Sequence, residues 1–442
     1  MININDKKDC SNCKNEYEVA VIGGGPAGLA AALEAKKNGA SSVLIIERDF
    51  ELGGILNQCI HAGFGLHEFK EELTGPEYAE RFINMVKKED IDILLNTMVI
   101  DLTKEREITI IGAQGLKKIK AGAVVLAMGC RERTAGAIAL KGYRPSGVFN
   151  AGMAQRLMNI EGLSVGKEVV IYGSGDIGLI MARRITLEGA KVKAVVEIMP
   201  YSSGLNRNIA QCLEDYGIPL FLSHSISCVH GKDRVTGVTI AQIDSSFKEI
   251  PGTEKEFSCD TVLLSVGLIP ENELTQKAGI ALNPITNGAF VDNGMETEAS
   301  GIFACGNVLH VHDIVDFVTK ESRTAGKNAA LFAKKNKNGE ATENKFATNS
   351  FGSAFIKTIA KKGIRYIVPN KINTGNIDGA SLFMRVDSVY KNARLIIKSG
   401  EQILAQKKTS QMVPSEMINI PLNFITLKGL TQDITAEVIL DE

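Results

Sequence analysis

Residues 17–22, YEVAVI, form a short apolar run that stops on Gly23-Gly24-Gly25, and residues 29–37, LAAALEAKK, then place apolar positions at helical spacing. This order predicts a buried strand, a tight turn and a helix packed back onto the strand. A second apolar run, residues 43–46, ends on Glu47. The pattern returns further along. Residues 167–172 read as a strand, Gly173-Ser174-Gly175-Asp176-Ile177-Gly178 as the turn, residues 179–187 as a helix, and residues 192–196 as a strand ending on Glu197. Gly173 lies 150 residues after Gly23, and Glu197 lies 150 residues after Glu47. Two copies of one nucleotide-binding unit are therefore expected. Each copy is followed by β-rich sequence (98–120 and 220–257) and by a strand that closes on glycine, 123–129 and 261–267. A third such segment, GIFACGN at 301–307, precedes a helical stretch at 317–334 and has no partner in the second copy.

The residue types explain what the turns are for. Gly23 and Gly25 permit a tight turn and let backbone approach a pyrophosphate, Gly28 allows close packing of helix on strand, and the helix N-terminus offers N–H groups to the anion. Glu47, 24 positions after Gly23, can accept hydrogen bonds from a ribose diol. At the second site, Glu197 is followed by Ile198-Met199-Pro200-Tyr201, with no arginine to receive a 2′-phosphate. A carboxylate about 4 Å from that phosphate repels it by about 4 kcal/mol per unit charge at an effective dielectric near 20, before solvent lowers the figure. NADH is expected over NADPH.

Beyond the helical stretch, residues 334–344 read as a polar, charged linker. Six short apolar or alternating runs follow, at 363–372, 380–390, 393–397, 403–408, 417–422 and 434–440, and predict a small β-sandwich. It contains no cysteine, which leaves an oligomer or partner-docking role as the expectation.

Composition narrows the class. With 442 residues, a formal net charge of −1 and a sequence pI near 6.6, the chain lacks the electrostatic footprint of a nucleic-acid binder. No apolar run reaches the length of a membrane span, and the first residues, MININDKKDCSNCKNE, have no signal-type apolar core. A cytoplasmic location is expected, and the eight scattered cysteines read as reduced thiols.

Taken in order, GxGxxG, the strand-end glycine at Gly129, the second GxGxxG, SVGLIPEN and FACGN resemble the two-dinucleotide-domain flavoproteins related to the pyridine nucleotide-disulfide reductases, over residues 17–335. Within them, GGILNQCIHAGFG, GCRERTAGAI and RPSGVFNAG are similar to the opine-oxidase, sarcosine-oxidase-α and cyanide-synthase branch. GNVLHVHDIVDFV followed by a β-rich tail is similar to bacterial FAD/NAD oxidoreductases associated with a glycerol-3-phosphate dehydrogenase. The resemblance implies an α/β fold of two Rossmann-like, three-layer ββα domains, with the NAD domain inserted in the FAD domain, and a C-terminal β-sandwich. The implied boundaries are a tail at 1–16, an FAD domain at 17–148 and 266–335, an NAD(H) domain at 149–265, a linker at 336–350 and a β domain at 351–442.

The resemblance also implies site residues. FAD would meet Gly23, Gly25, Gly28, Glu47, Gly53, Gly54, Gln58, Val99, Gly129, Gly306 and Asn307; NAD(H) would meet Gly173, Gly175, Gly178, Glu197 and Gly267. Most of the family has Asp at the position of Asn307, whose amide can donate as well as accept. Disulfide reductases of this family carry CxxxxC after the first glycine pair or CxxC at the start of the NAD domain. Neither is present: Gly53-Gly54 is followed by one cysteine, Cys59, and the NAD domain opens with GVFNAGMAQRL.

Two functional classes follow. One is an electron-transfer flavoprotein that exchanges electrons between NADH and a partner dehydrogenase, with glycerol 3-phosphate as the substrate the resemblance suggests; a second copy of the chain is the other expected associate. The alternative is a self-contained NADH oxidase or peroxidase in which Cys59 cycles through a sulfenic acid; otherwise Cys59 is a small buried residue. A purely nucleotide-sensing role leaves the FACGN segment without a use. His61 and His67 flank the same loop as solvated imidazoles or flavin-edge contacts, and Arg131 and Arg133 follow a strand-end glycine where ligands of open sheets sit. Cys10 and Cys13 have metal-type spacing without a second pair. His310 and His312 share one face of an extended segment with no acidic or cysteine companion at metal spacing in the nearby sequence, so no metal is expected.

Overall fold

The computed structural model describes residues 14–337, 355–373 and 379–440. Cys10 and Cys13, and the linker from residue 338 onward, lie outside the described residues. The chain opens with strand β1 (Glu16–Ile22), helix α1 (Pro26–Lys37) and strand β2 (Val43–Ile46). Helix α2 (Ala151–Asn159), strand β3 (Glu168–Tyr172), helix α3 (Asp176–Leu187) and strand β4 (Lys191–Val196) follow. After them come strand β5 (Ile302–Ala304) and the 23-residue helix α4 (Val315–Lys337). Two compact units result. One takes its described residues from the stretch up to Asn57, from Ala62–Cys130 and from Pro270 on; the other is built from Gln58–His61 and Arg131–Ile269.

In the first unit β1 runs parallel to β2 on one side and to Gly115–Leu126 on the other, with Val19 opposite Val43 and Ala123. β5 joins the same sheet alongside Gly115–Leu126, Ile302 opposite Val124. These strands are apolar on both faces because parallel strands are covered on both faces. One cover is the pair α1 and α4. A methyl group on Gly326 would sit 2.1 Å from Ala31 O, so the two helices touch backbone to backbone along small residues.

The second unit repeats the plan in a clearer form. Its five-stranded parallel sheet has the order Val148–Asn150, Thr261–Leu264, β3, β4, Leu220–Phe221. Alternation along β3 splits the core in two. Val169 and Ile171 pack with Leu179, Met181 and Ile185 of α3, whereas Val170 packs with Ile226, Val238 and Ile240 of a three-stranded antiparallel sheet. Period-two strand geometry thus produces three layers, sheet, sheet and helix, the ββα arrangement expected from sequence.

The C-terminal strands form a five-stranded and a three-stranded sheet around one apolar core that includes Leu382, Met384, Leu395, Ile397 and Val438. They cluster with the first unit. Tyr366 and Val368 join the first unit's apolar core, and polar joints add to this. Arg385 pairs with Asp313 and donates to Val311 O at 3.1 Å, while Asp313 Oδ2 accepts Met417 N–H at 2.6 Å. Asn373 N–H donates to Asn293 Oδ1 at 2.7 Å. Among the described residues no helix is long and apolar enough to cross a membrane.

Candidate functional site

The first glycine loop is held by backbone before any side chain contributes. Gly23 N–H donates to Ile46 O and Ala127 N–H to Ile22 O, both at 2.9 Å, so the ends of three parallel strands meet there. Gly23 has φ +109°, and a methyl group on it would lie 2.4 Å from Ala127 O. On Gly28 the same addition would lie 1.8 Å from Gly23 O. Only glycine fits at either place. α1 starts on Gly25 with no side-chain cap, with Pro26 in its first turn and no acidic residue there, so its first N–H groups face the loop with positive partial charge.

Around this terminus the other expected flavin-side residues gather. Glu47, buried at the end of β2, accepts Gly24 N–H at 2.6 Å and Asp49 N–H at 2.8 Å. Gly53 N–H donates to Gly24 O at 2.9 Å, and a methyl group on Gly54 would reach 3.0 Å from Gly25 Cα, so the second glycine pair crosses the first. Gly306, at φ +74°, packs over Ala27. Gly129 opens onto space, nothing lying within 4 Å of the atom that a side chain would add. Asn307 is engaged within the chain: its Oδ1 accepts His312 N–H at 3.0 Å and its Nδ2 lies 3.7 Å from Cys130 Sγ. An uncapped helix end, a glycine cradle and a ribose-type acid fit FAD.

Val99 is buried in the apolar core, two residues after Thr97, whose N–H donates to Glu47 O at 3.0 Å. Gln58 belongs to the second unit. Its amide donates to Gly152 O at 2.8 Å and to Gln155 Oε1 at 3.0 Å, so it is spent on fixing α2. His61 falls in the second unit and His67 in the first, where it stacks on Phe317.

The second loop copies the backbone scheme almost bond for bond. Gly173 N–H donates to Val196 O and Ser265 N–H to Tyr172 O, both at 2.7 Å, and Gly173, at φ +95°, would collide with Ser265 O if it carried a side chain. Side chains then set it apart. Glu197 is buried, and its Oε2 accepts Ser174 N–H at 2.9 Å, Ser174 Oγ–H at 2.5 Å and Ser203 Oγ–H at 3.0 Å; its Oε1 accepts Met199 N–H at 2.9 Å. Gly178 N–H donates to Ser265 Oγ at 3.1 Å. Asp176 stands in the first turn of α3, with Oδ1 accepting Leu205 N–H and Asn208 Nδ2–H. Gly267 opens onto space. The sequence assigns no role to Ser203 or Ser265, because a hydroxyl carries no distinctive spacing of its own.

The remaining candidates separate by burial. Burial pushes the Cys59 thiol up to about 12, and its Sγ lies 3.8 Å from Gln155 Oε1, within the second unit. Such a thiol is protonated at neutral pH and is a poor nucleophile. Arg131 and Arg133 are exposed, while Glu132 between them accepts Gly152 N–H at 2.7 Å and Met153 N–H at 3.1 Å at the start of α2. Burial raises the Glu132 carboxyl above its ordinary value. His310 and His312 are brought against Glu321 of α4, an acidic companion that the local sequence did not offer. Burial, with His312 beside it, lowers His310 to about 4, so that ring is neutral.

Comparison with known proteins places this geometry in a family context. The family model described as pyridine nucleotide-disulphide oxidoreductase matches residues 17–330. Hydrogen cyanide synthase subunit HcnB of Pseudomonas protegens is 24% identical over 313 residues, 66% of this chain and 64% of its own length. An opine oxidase subunit of Agrobacterium tumefaciens is 24% identical over 318 residues, 66% of this chain and 61% of its own length. The matches thus span less than two thirds of these relatives. Among solved structures, T. acidophilum thioredoxin reductase superposes with a TM-score of 0.58 at 23% identity, over 73% of this chain and 99% of that one, which shows a shared fold.

Proposed function

Because the chain belongs to the pyridine nucleotide-disulphide oxidoreductase family, whose members are FAD-dependent enzymes using NAD(P)H, we propose that this oxidoreductase exchanges electrons between NADH and a separate dehydrogenase subunit. The observation that carries the reading is the combination of two complete dinucleotide loops with no redox dithiol among the described residues. Cys59 is the one cysteine in the loop that follows Gly53-Gly54, and its thiol is held protonated. Two relatives that match the same region are themselves named as subunits.

When bound, FAD supplies hydride acceptance and release of the electrons singly or in pairs. The chain's own part is placement. Gly23, Gly25, Gly28, Gly53, Gly54 and the uncapped end of α1 would hold the pyrophosphate, Glu47 the adenosine ribose, and Gly129, Gly306 and Asn307 the approach to the rest of the cofactor. Gly173, Gly175, Gly178 and Gly267 would take NADH, with Glu197 on its ribose diol. A buried carboxylate there opposes a 2′-phosphate, which favours NADH over NADPH.

The test is anaerobic stopped-flow reduction by NADH, followed by mixing with peroxide or oxygen, together with purification from the native cell. Rapid flavin bleaching, slow reoxidation by peroxide and a reproducible co-purifying flavoprotein dehydrogenase are expected. Glycerol 3-phosphate is the first substrate to offer that complex. Fast peroxide reoxidation that disappears in Cys59→Ser would instead establish the self-contained peroxidase.

A further inference from the structure

We propose that His310, His312 and Glu321 form a buried site for one zinc-like divalent cation, beside the glycine segment at Gly306. The three side chains are buried and offer ligand atoms that all lie within 4.8 Å of one another. His310 Nε2 is 2.8 Å from Glu321 Oε2, and His312 Nε2 is 3.4 Å from Glu321 Oε1. Donors bound about 2.0–2.1 Å from a tetrahedral ion stand roughly 3.3 Å apart, and these separations bracket that value.

Hydrogen bonding alone leaves the cluster short of partners. Glu321 Oε1 already accepts Gly306 N–H at 2.6 Å, and Oε2 faces His310. Nδ1 of His310 and Nδ1 of His312 are buried without a hydrogen-bond partner, and His312 Nε2 meets Glu321 Oε1 only at 3.4 Å. An unsatisfied buried polar group costs about 1–3 kcal/mol, so two crowded imidazoles at one carboxylate are an expensive way to build a core. A cation removes that conflict for His312, because a lone pair that accepts no proton can bind metal. Two imidazoles and one carboxylate supply three protein ligands, which leaves the fourth tetrahedral position to a water. Nitrogen donors select zinc over magnesium or calcium, which take oxygen sets.

The surroundings argue for a structural ion. Phe383 covers both rings, with centroids 5.6 Å from His310 and 5.3 Å from His312, and Tyr366 lies 6.1 Å from His310. Both aromatics come from the C-terminal strands. Arg385, whose charge reaches His310, is paired with Asp313. Bound here, the ion ties the segment after Gly306 to α4.

The experiment uses the full-length flavoprotein carrying Cys10→Ser and Cys13→Ser, so that the terminal thiol pair contributes nothing. After chelator treatment it is exposed to zinc chloride alone, desalted and analysed for metal and FAD. One zinc per chain and a raised Tm are expected, with both effects absent in Glu321→Gln and His312→Ala. Cobalt(II) in the unaltered site should add visible bands beyond the flavin absorption, a readout that does not depend on a variant folding. Less than about a tenth of an equivalent of zinc in the FAD-loaded protein, no cobalt bands, or full zinc binding by correctly folded Glu321→Gln would each overturn the proposal.

Discussion

The two glycine loops share a backbone and differ in what their side chains do to it. In both, the first loop glycine donates to the end of the neighbouring strand, at 2.9 Å for Gly23 and 2.7 Å for Gly173, and the strand-end acid is buried. In the first loop, Gly24, Pro26 and Ala127 contribute no hydrogen-bonding side chain, and Glu47 takes only two backbone N–H groups. In the second, Ser174, Asp176 and Ser265 stand at the matching places. Ser265 consumes a helix-terminal N–H, and Glu197 has four donors before a nucleotide arrives. A ligand of the first loop meets unspent donors. In the second loop more of the donors and of the carboxylate's acceptor sites are already engaged within the chain, in hydrogen bonds worth about 0.5–1.5 kcal/mol net each.

The sharpest way to break that comparison is at the two packing glycines. Gly28→Ala puts its methyl 1.8 Å from backbone Gly23 O, whereas Gly178→Ala meets chiefly the Ser265 side chain, at 2.7 Å. The first change should cost about 3 kcal/mol or more and abolish FAD retention; the second should cost about 1–2 kcal/mol, keep FAD and raise KM for NADH. The ratio of flavin absorbance to protein, with Tm, distinguishes them.

Next in size is Glu197→Gln. Removing the charge should shift the NADH to NADPH ratio of kcat/KM toward NADPH by about tenfold, equivalent to about 1.4 kcal/mol, with FAD content unchanged. An unaltered ratio would mean that Glu197 does not face the ribose.

Ser265→Ala gives the second loop the residue that the first has at Ala127. It releases Gly178 N–H, and KM for NADH should fall about two- to fivefold; a rise would show that the hydroxyl serves the nucleotide. The smallest effect is expected at Cys59, where Cys59→Ser should leave NADH reduction of the flavin unchanged and iodoacetamide should react slowly at pH 8. The sign of the pH effect follows from burial. The thiol ionises near 9 in an unfolded chain and near 12 in the folded one, so its contribution to stability is complete below pH 9 and is lost as pH rises toward 12. Tm measured over that interval should fall less steeply in Cys59→Ser.

Sequence alone determined the parts that are local along the chain. Strand, glycine turn, helix, strand and acid follow one another within about 25 residues of each loop, and helix and strand periodicities are fixed by neighbouring positions, so both glycine loops were readable, while the layers came from the family resemblance. Tertiary structure decided whatever depends on partners distant in sequence. Ser265 reaches Gly178 across 87 residues, Gln58 leaves the first loop for Gln155 across 97, and Arg385 fastens the C-terminal sheets to Asp313 across 72. Glu321 meets His310 only because α4 folds back along the segment that precedes it. A side chain's hydrogen-bond partner is set by which surfaces pack, and packing is a property of the whole fold that no window of sequence contains.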